Sequence, residues 1–212
     1  MNIQQAIARL LRFFVLIIIL CNYCLSSFGQ DYKARINAFR KGYENDFLTD
    51  ASSPLKKDDL QFLRFYDADS SYRITAEVQY LSGEPIFIMH TFNGASQQYV
   101  RYALLNFKLN GKEFQLTVYR SIALSAIAAY KDYIFLPFTD NTNGNTTYGG
   151  GRYIDLNTSD FKGATMTLDF NKAYNPYCAF SGKYSCPKPP PENNLAVAVE
   201  AGEKLFAKTV NH

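Results

Sequence analysis

"RYALLNFKLNGKEFQLTVYR", residues 101–120, decides how the rest of the chain is read. Two runs alternate apolar and polar residues, which is the period of a half-buried strand. Between them stands Asn110-Gly111, the dipeptide that tolerates the left-handed backbone of a tight hairpin turn. An antiparallel hairpin is therefore expected here. The same period runs outward from it. In "YRITAEVQY" Tyr72, Ile74, Ala76, Val78 and Tyr80 share one face, and Arg73, Thr75, Glu77 and Gln79 share the other. "IFIMHT", "YIFLPF", "RYIDL", "ATMTLDF" and "LAVAVEA" supply further strands. Nothing alternates strand with helix, so a doubly wound α/β fold is disfavoured. The expected class is mainly β, an antiparallel β-barrel or β-sandwich of about eight strands, with barrel and sandwich left open.

Ahead of the strands the period lengthens. Tyr32, Ile36, Phe39, Tyr43 and Phe47 recur at steps of three and four, while Lys33, Arg35, Lys41 and Glu44 fall off that stripe. This predicts an N-terminal amphipathic helix that covers the β domain. In "SSPLKKDDL", Ser53 before Pro54 signals a second, short helical start. The first residues have a different character. Arg9 and Arg12 flank the apolar "FFVLIIILC", and small residues Ser27 and Gly29 precede Gln30. That layout predicts a signal peptide over 1–29 and a single exported domain over 30–212. An uncleaved anchor is the weaker reading, although Leu10 to Phe28 nearly suffices to span a bilayer. A lipoprotein is weaker too, because Cys21 and Cys24 follow the large residues Leu20 and Tyr23.

The formal net charge is +3, and the leader carries two of the 22 basic residues and none of the 19 acidic ones. The mature chain is then close to neutral and holds no basic run. It gives no case for nucleic acid, nor for stable membrane insertion after cleavage. Beyond the leader only Cys178 and Cys186 remain, close enough to pair as a disulfide in an oxidising compartment. With no histidine nearby they are not a zinc site, and no metal or cofactor motif is found elsewhere. His90 and His212 are the only histidines. His90 sits in an apolar run as a core-edge residue, and no G-x-S-x-G elbow accompanies it.

Two loops carry most of the remaining polar chemistry. "FTDNTNGNTTYGGGRY" places Asp140, Asn141, Asn143 and Asn145 in a calcium-like series, but the glycine spacing fails and no bidentate glutamate follows. Its glycine run lacks the Lys-Ser/Thr of a phosphate loop. Arg152 opens an apolar strand, which favours a buried salt bridge over an anion site. The second loop, "DFNKAYNPYCAFSGKYSCPKPPPENN" (169–194), presents Asp169 and Asn171 on one face and is stiffened by prolines. We expect the two loops to meet, Asp140, Tyr148 and Arg152 facing Asp169, Asn171, Asn175, Glu192 and Asn193. Paired-carboxylate chemistry would have to come from Asp140, Asp155, Asp169 and Glu192.

"LPFTDNTNGNTTYGGGRYIDL", "LDFNKAYNPYCAF" and "YSCPKPPPENNLAVAVEAGEK" resemble the signature of the bacterial and archaeal domain-of-unknown-function family 1684 (DUF1684), and "SPL…FLRFYDADSSYRITAEV" fits the same family. The resemblance implies that Asp140, Thr142, Gly144, Tyr148, Gly151, Arg152, Asp169, Asn171, Tyr174, Asn175 and Pro176 occupy family motif positions, as do Cys178, Cys186, Pro187, Pro190, Glu192 and Asn193. His90 and Tyr177 depart from the family pattern. The family carries no assigned activity. The expectation is an exported domain that binds a small ligand, with a glycan suggested by sixteen tyrosines and no tryptophan. The alternatives are a structural or interaction module of the cell envelope and a hydrolase using paired carboxylates.

Overall fold

The computed structural model describes residues 29–210, so the expected leader lies outside the described residues apart from Gly29. Residues 29–49 form helix α1. Eight strands follow: β1 (Arg73–Tyr80), β2 (Phe87–His90), β3 (Ser96–Leu109), β4 (Lys112–Ser121), β5 (Tyr133–Asp140), β6 (Arg152–Asn157), β7 (Thr165–Asp169) and β8 (Asn194–Leu195). They make one curled half-barrel sheet in the order β6-β5-β4-β3-β1-β7, with β2 added beside β3 and β8 beside β5. Only β8 runs parallel to its neighbour. The choice between barrel and sandwich thus resolves into a single sheet that curls without closing.

The hairpin organises the sheet. Asn110 (φ 51°) and Gly111 (φ 77°) turn β3 into β4, and the pair stays in register from Leu109–Lys112 back to Ala103–Val118. A register shift between Arg101 and Ala103 follows, where β3 changes its other neighbour. Before the shift it pairs with β2, and after it with β1. The alternation in β1 is kept, with Ala76 buried and Arg73, Thr75, Glu77 and Gln79 exposed.

β5 is buried on both faces and divides two cores. Ile134, Leu136 and Phe138 join the large inner cluster with Leu105, Leu116, Val118 and Leu168. Phe135 joins a smaller outer cluster with Tyr99, Tyr119 and Tyr153. Because successive strand residues point to opposite faces, β6 divides in the same way. Arg152 and Ile154 belong to the inner face, Tyr153 and Asp155 to the outer.

Two expected elements differ. The helical start falls later than Ser53-Pro54, as a 3₁₀ turn at Lys57–Phe62, because the Ser53 hydroxyl is used in a local turn with Leu55. Of "LAVAVEA" (195–201) only Leu195 is strand, together with Asn194 before it. Beyond it the carbonyls of Val199 and Ala201 accept from Arg152 rather than from a neighbouring strand. A side chain has taken the place of a ladder.

Candidate functional site

Arg152 is fully buried at the start of β6. Its Nη2 donates to Asp140 Oδ2 at 2.8 Å and to Val199 O at 2.8 Å. Nη1 donates to the carbonyls of Ala201 and Glu203, and the guanidinium lies 5.4 Å from the Phe138 ring. Asp140 Oδ1 in turn accepts from Thr142 N, Thr142 Oγ1 and Val199 N. The calcium-like loop is closed on itself, with Asn143 bonded to Asp140 N, Thr147 Oγ1 and Tyr148 O. The expected buried salt bridge is present, and the groups around it are turned inward.

Sequence reading missed the second acid of this cluster. Glu203 is wholly buried; its Oε2 accepts from Tyr43 Oη at 2.9 Å and from Asn175 N at 2.8 Å. Gly202, just before it, holds φ at +77°, and a side chain there would collide with the carbonyls of Ala173 and Phe170. This turn delivers the carboxyl to Asn175. Burial pushes the Glu203 carboxyl up to about 8, against the pull of the Asn175 N–H, Tyr43 and Arg152. Arg152 and Asp140 already balance one another, so a neutral Glu203 keeps the enclosed charge at zero. Glu203 Oε1 and Asn175 Oδ1 have no partner of their own, and a proton on Glu203 supplies the donor this acceptor-rich spot lacks. The only sequence signal was an acid placed directly after the glycine that ends "AVAVEAG" (196–202).

The rest of the expected convergence separates. Asp169 Oδ1 accepts from Tyr32 Oη and from the backbone and side chain of Asn171, and Asn171 in turn brackets the backbone of Asp69. Glu192 accepts from Arg101 at 3.0 Å and from Tyr119 at 3.1 Å. Although burial opposes it, its own backbone N–H together with Arg101 and Tyr119 lowers its pKa. Asn193 is buried and spans the gap between β4 and β5. It bonds both the N–H and the C=O of Thr117 and donates to Pro137 O. The register set by Tyr119–Phe135 puts Thr117 opposite Pro137, which has no N–H to give. The Asn193 amide supplies the missing peptide group. Tyr148 packs edge-on to Phe92, 6.2 Å away between ring centres, apart from the others. Arg152 therefore gathers Asp140 directly and Asn175 through Glu203, but bonds neither Asp169 nor Glu192.

Cys178 and Cys186 lie together, but they are free thiols and the expected disulfide is not formed. Each sulfur is occupied as a thiol. Cys178 Sγ donates to Tyr184 O, and Cys186 Sγ accepts from Cys178 N at 3.1 Å. Burial, then the neighbouring Cys178, pushes the Cys186 thiol up to about 12 and makes it a poor nucleophile.

The outer face of β6 is built differently. Here α1 packs on the 169–194 crossing through Tyr43 and Phe47, and a cleft of about 690 Å³ lies along that seam. Phe39, Tyr43 and Phe47 of α1 form one wall, and Tyr153, Tyr174, Tyr177 and Tyr184 form the other. Asp155 opens into it. Its Oδ1 accepts from Tyr133 Oη and Tyr174 Oη, both at 2.7 Å, while no described residue bonds Oδ2. The surrounding rings raise the Asp155 pKa by desolvation, and the two phenols partly restrain that rise. Asp155 nonetheless remains exposed to solvent. Of the four carboxylates available for paired-acid chemistry, Asp140, Asp169 and Glu192 are held by other partners. Only Asp155 lines this cleft.

The family model described as "Protein of unknown function (DUF1684)" matches residues 58–204. The chain belongs to that family. Its match takes in the Asp140–Arg152 pair, the crossing, Asp155 and Glu203, and leaves α1 outside. The solution NMR structure of an uncharacterized protein from Haloarcula marismortui is similar at 32% identity, over 83% of this chain and 95% of that one, with a TM-score of 0.64. No curated protein matches. For the DUF1684 fold, then, the cleft geometry is the available guide to function.

Proposed function

We propose that this DUF1684 protein is an exported β domain that binds a small organic ligand in the cleft between α1 and the outer face of β6. One observation carries the reading. Of the four candidate carboxylates, Asp155 alone lines an aromatic-walled space of ligand size, with Oδ1 held by two phenols and Oδ2 left for something else to meet. Such a surface costs folding stability and is kept where something else completes it. Export rests on the 1–29 leader alone.

Two experiments test these parts separately. A fragment library screened by NMR against tyrosine-labelled protein should give hits that shift Tyr43, Tyr153 and Tyr174 together. Hits scattered over other tyrosines, with those three silent, would sink the cleft. N-terminal sequencing of the protein from its native cell envelope should begin at Gln30. A retained Met1 would replace the cleaved leader by the uncleaved anchor, and absence of the protein from the envelope would end the export reading; neither touches the cleft.

A further inference from the structure

The tyrosines of the cleft have already spent their protons. Tyr43 Oη donates to Glu203, Tyr153 Oη to Pro187 O and Tyr174 Oη to Asp155. Tyr177 Oη donates to Asp50 and Tyr184 Oη to the Ser52 carbonyl. Ser185 Oγ, also on the wall, donates to the 91–93 turn. What these residues turn toward a ligand is ring surface and oxygen lone pairs. Two carboxylates join them, Asp155 from β6 and Asp46 from α1, against one lysine, Lys172. That lysine already marks the preference of the rim, since its ammonium lies 5.4 Å from the Phe39 ring centre.

A ligand complementary to this wall brings positive charge and donors and needs few donors in return. An anion would face both carboxylates. A sugar carries acceptors as well as donors, and apart from Lys172 these side chains offer its acceptors little, so the glycan suggested by tyrosine count is the poorer fit. We propose that the cleft takes an organic ammonium cation, its charge set against Asp155 Oδ2 and its carbon body against the aromatic walls. This rests on the cleft being the ligand site, and the test separates the two ideas.

The probes are choline and n-hexylammonium, each paired with a neutral counterpart, 3,3-dimethylbutanol and hexanol, titrated into the purified full-length protein while tyrosine ring resonances are followed. Each cation should shift the rings of Tyr43, Tyr153 and Tyr174 and bind about tenfold tighter than its alcohol. Asp155→Asn retains an Oδ1 acceptor for Tyr133 and Tyr174, so its fold should survive while the tenfold preference disappears. Alcohols that bind as tightly as their cations overturn the ammonium assignment and leave the cleft standing. A preference that persists in Asp155→Asn removes Asp155 as the counter-charge. If no probe moves the cleft rings, the ammonium assignment falls, and the cleft itself stands or falls on the fragment screen.

Discussion

Arg152 and Asp155 lie three residues apart on β6 and face opposite ways, and the two neighbourhoods could hardly be finished more differently. On the inner face a guanidinium, a carboxylate and three carbonyls are bonded to one another and sealed from water. On the outer face a carboxylate uses one oxygen for two phenols and leaves the other open. Burying an ion pair brings little net stability, but losing one partner leaves a charge with nowhere to go. The inner set therefore works as scaffold. An acid wrapped in rings yet open at one side has the form of a site. Abundance of polar residues did not distinguish the two; burial did, since Arg152 and Glu203 are sealed in the fold while Asp155 faces a cleft.

The sharpest break in this contrast is Arg152→Ala. It strands Asp140 and three carbonyls, and should cost roughly 3–5 kcal/mol in urea unfolding. Glu203 comes next, through pH. Its pKa is about 8 in the folded protein, against roughly 4.3 in an unfolded chain. Between those values the folded state holds a proton that the unfolded state has released, so stability declines as pH rises through that window. The loss should be on the order of 4 kcal/mol in melts recorded from pH 4.5 to 8.5, and Glu203→Gln should flatten it. Asn193→Ala leaves Thr117 and Pro137 backbone groups buried without partners. Calorimetry should register about 2–3 kcal/mol for that change. Smallest is Asp155→Asn, expected within about 1 kcal/mol of wild type by the same measurement. A large loss there would make the outer face scaffold too.

Much of the fold was legible because strand period and turn chemistry are local properties. Asn110-Gly111 marked its hairpin, and the stripe Tyr32, Ile36, Phe39, Tyr43, Phe47 marked α1. The Arg152 salt bridge was legible too, since a guanidinium in an apolar strand needs a buried partner. Apart from the Ser53-Pro54 start, displaced by a local turn with Leu55, the failures below were matters of pairing at a distance. "LAVAVEA" alternates like a strand, but Arg152 occupies its carbonyls. Asn193 looked like loop polarity, and its role depends on Pro137 lying opposite Thr117. Phe39 and Tyr43 read simply as a covering face, and the cleft beneath them arises where α1 meets a crossing more than a hundred residues later.

The most direct test of the contrast is a carboxyl-carbon NMR titration that follows Glu203 and Asp155 in one sample. A Glu203 midpoint near 8 is expected to stay in place when Asp155 is changed to Asn, because Glu203 is wholly buried beside an Arg152–Asp140 pair that is already charge-balanced. A Glu203 midpoint at an ordinary glutamate value, about 4.3, would contradict it: the inner cluster would then carry an open charge, and β6 would not divide scaffold from site.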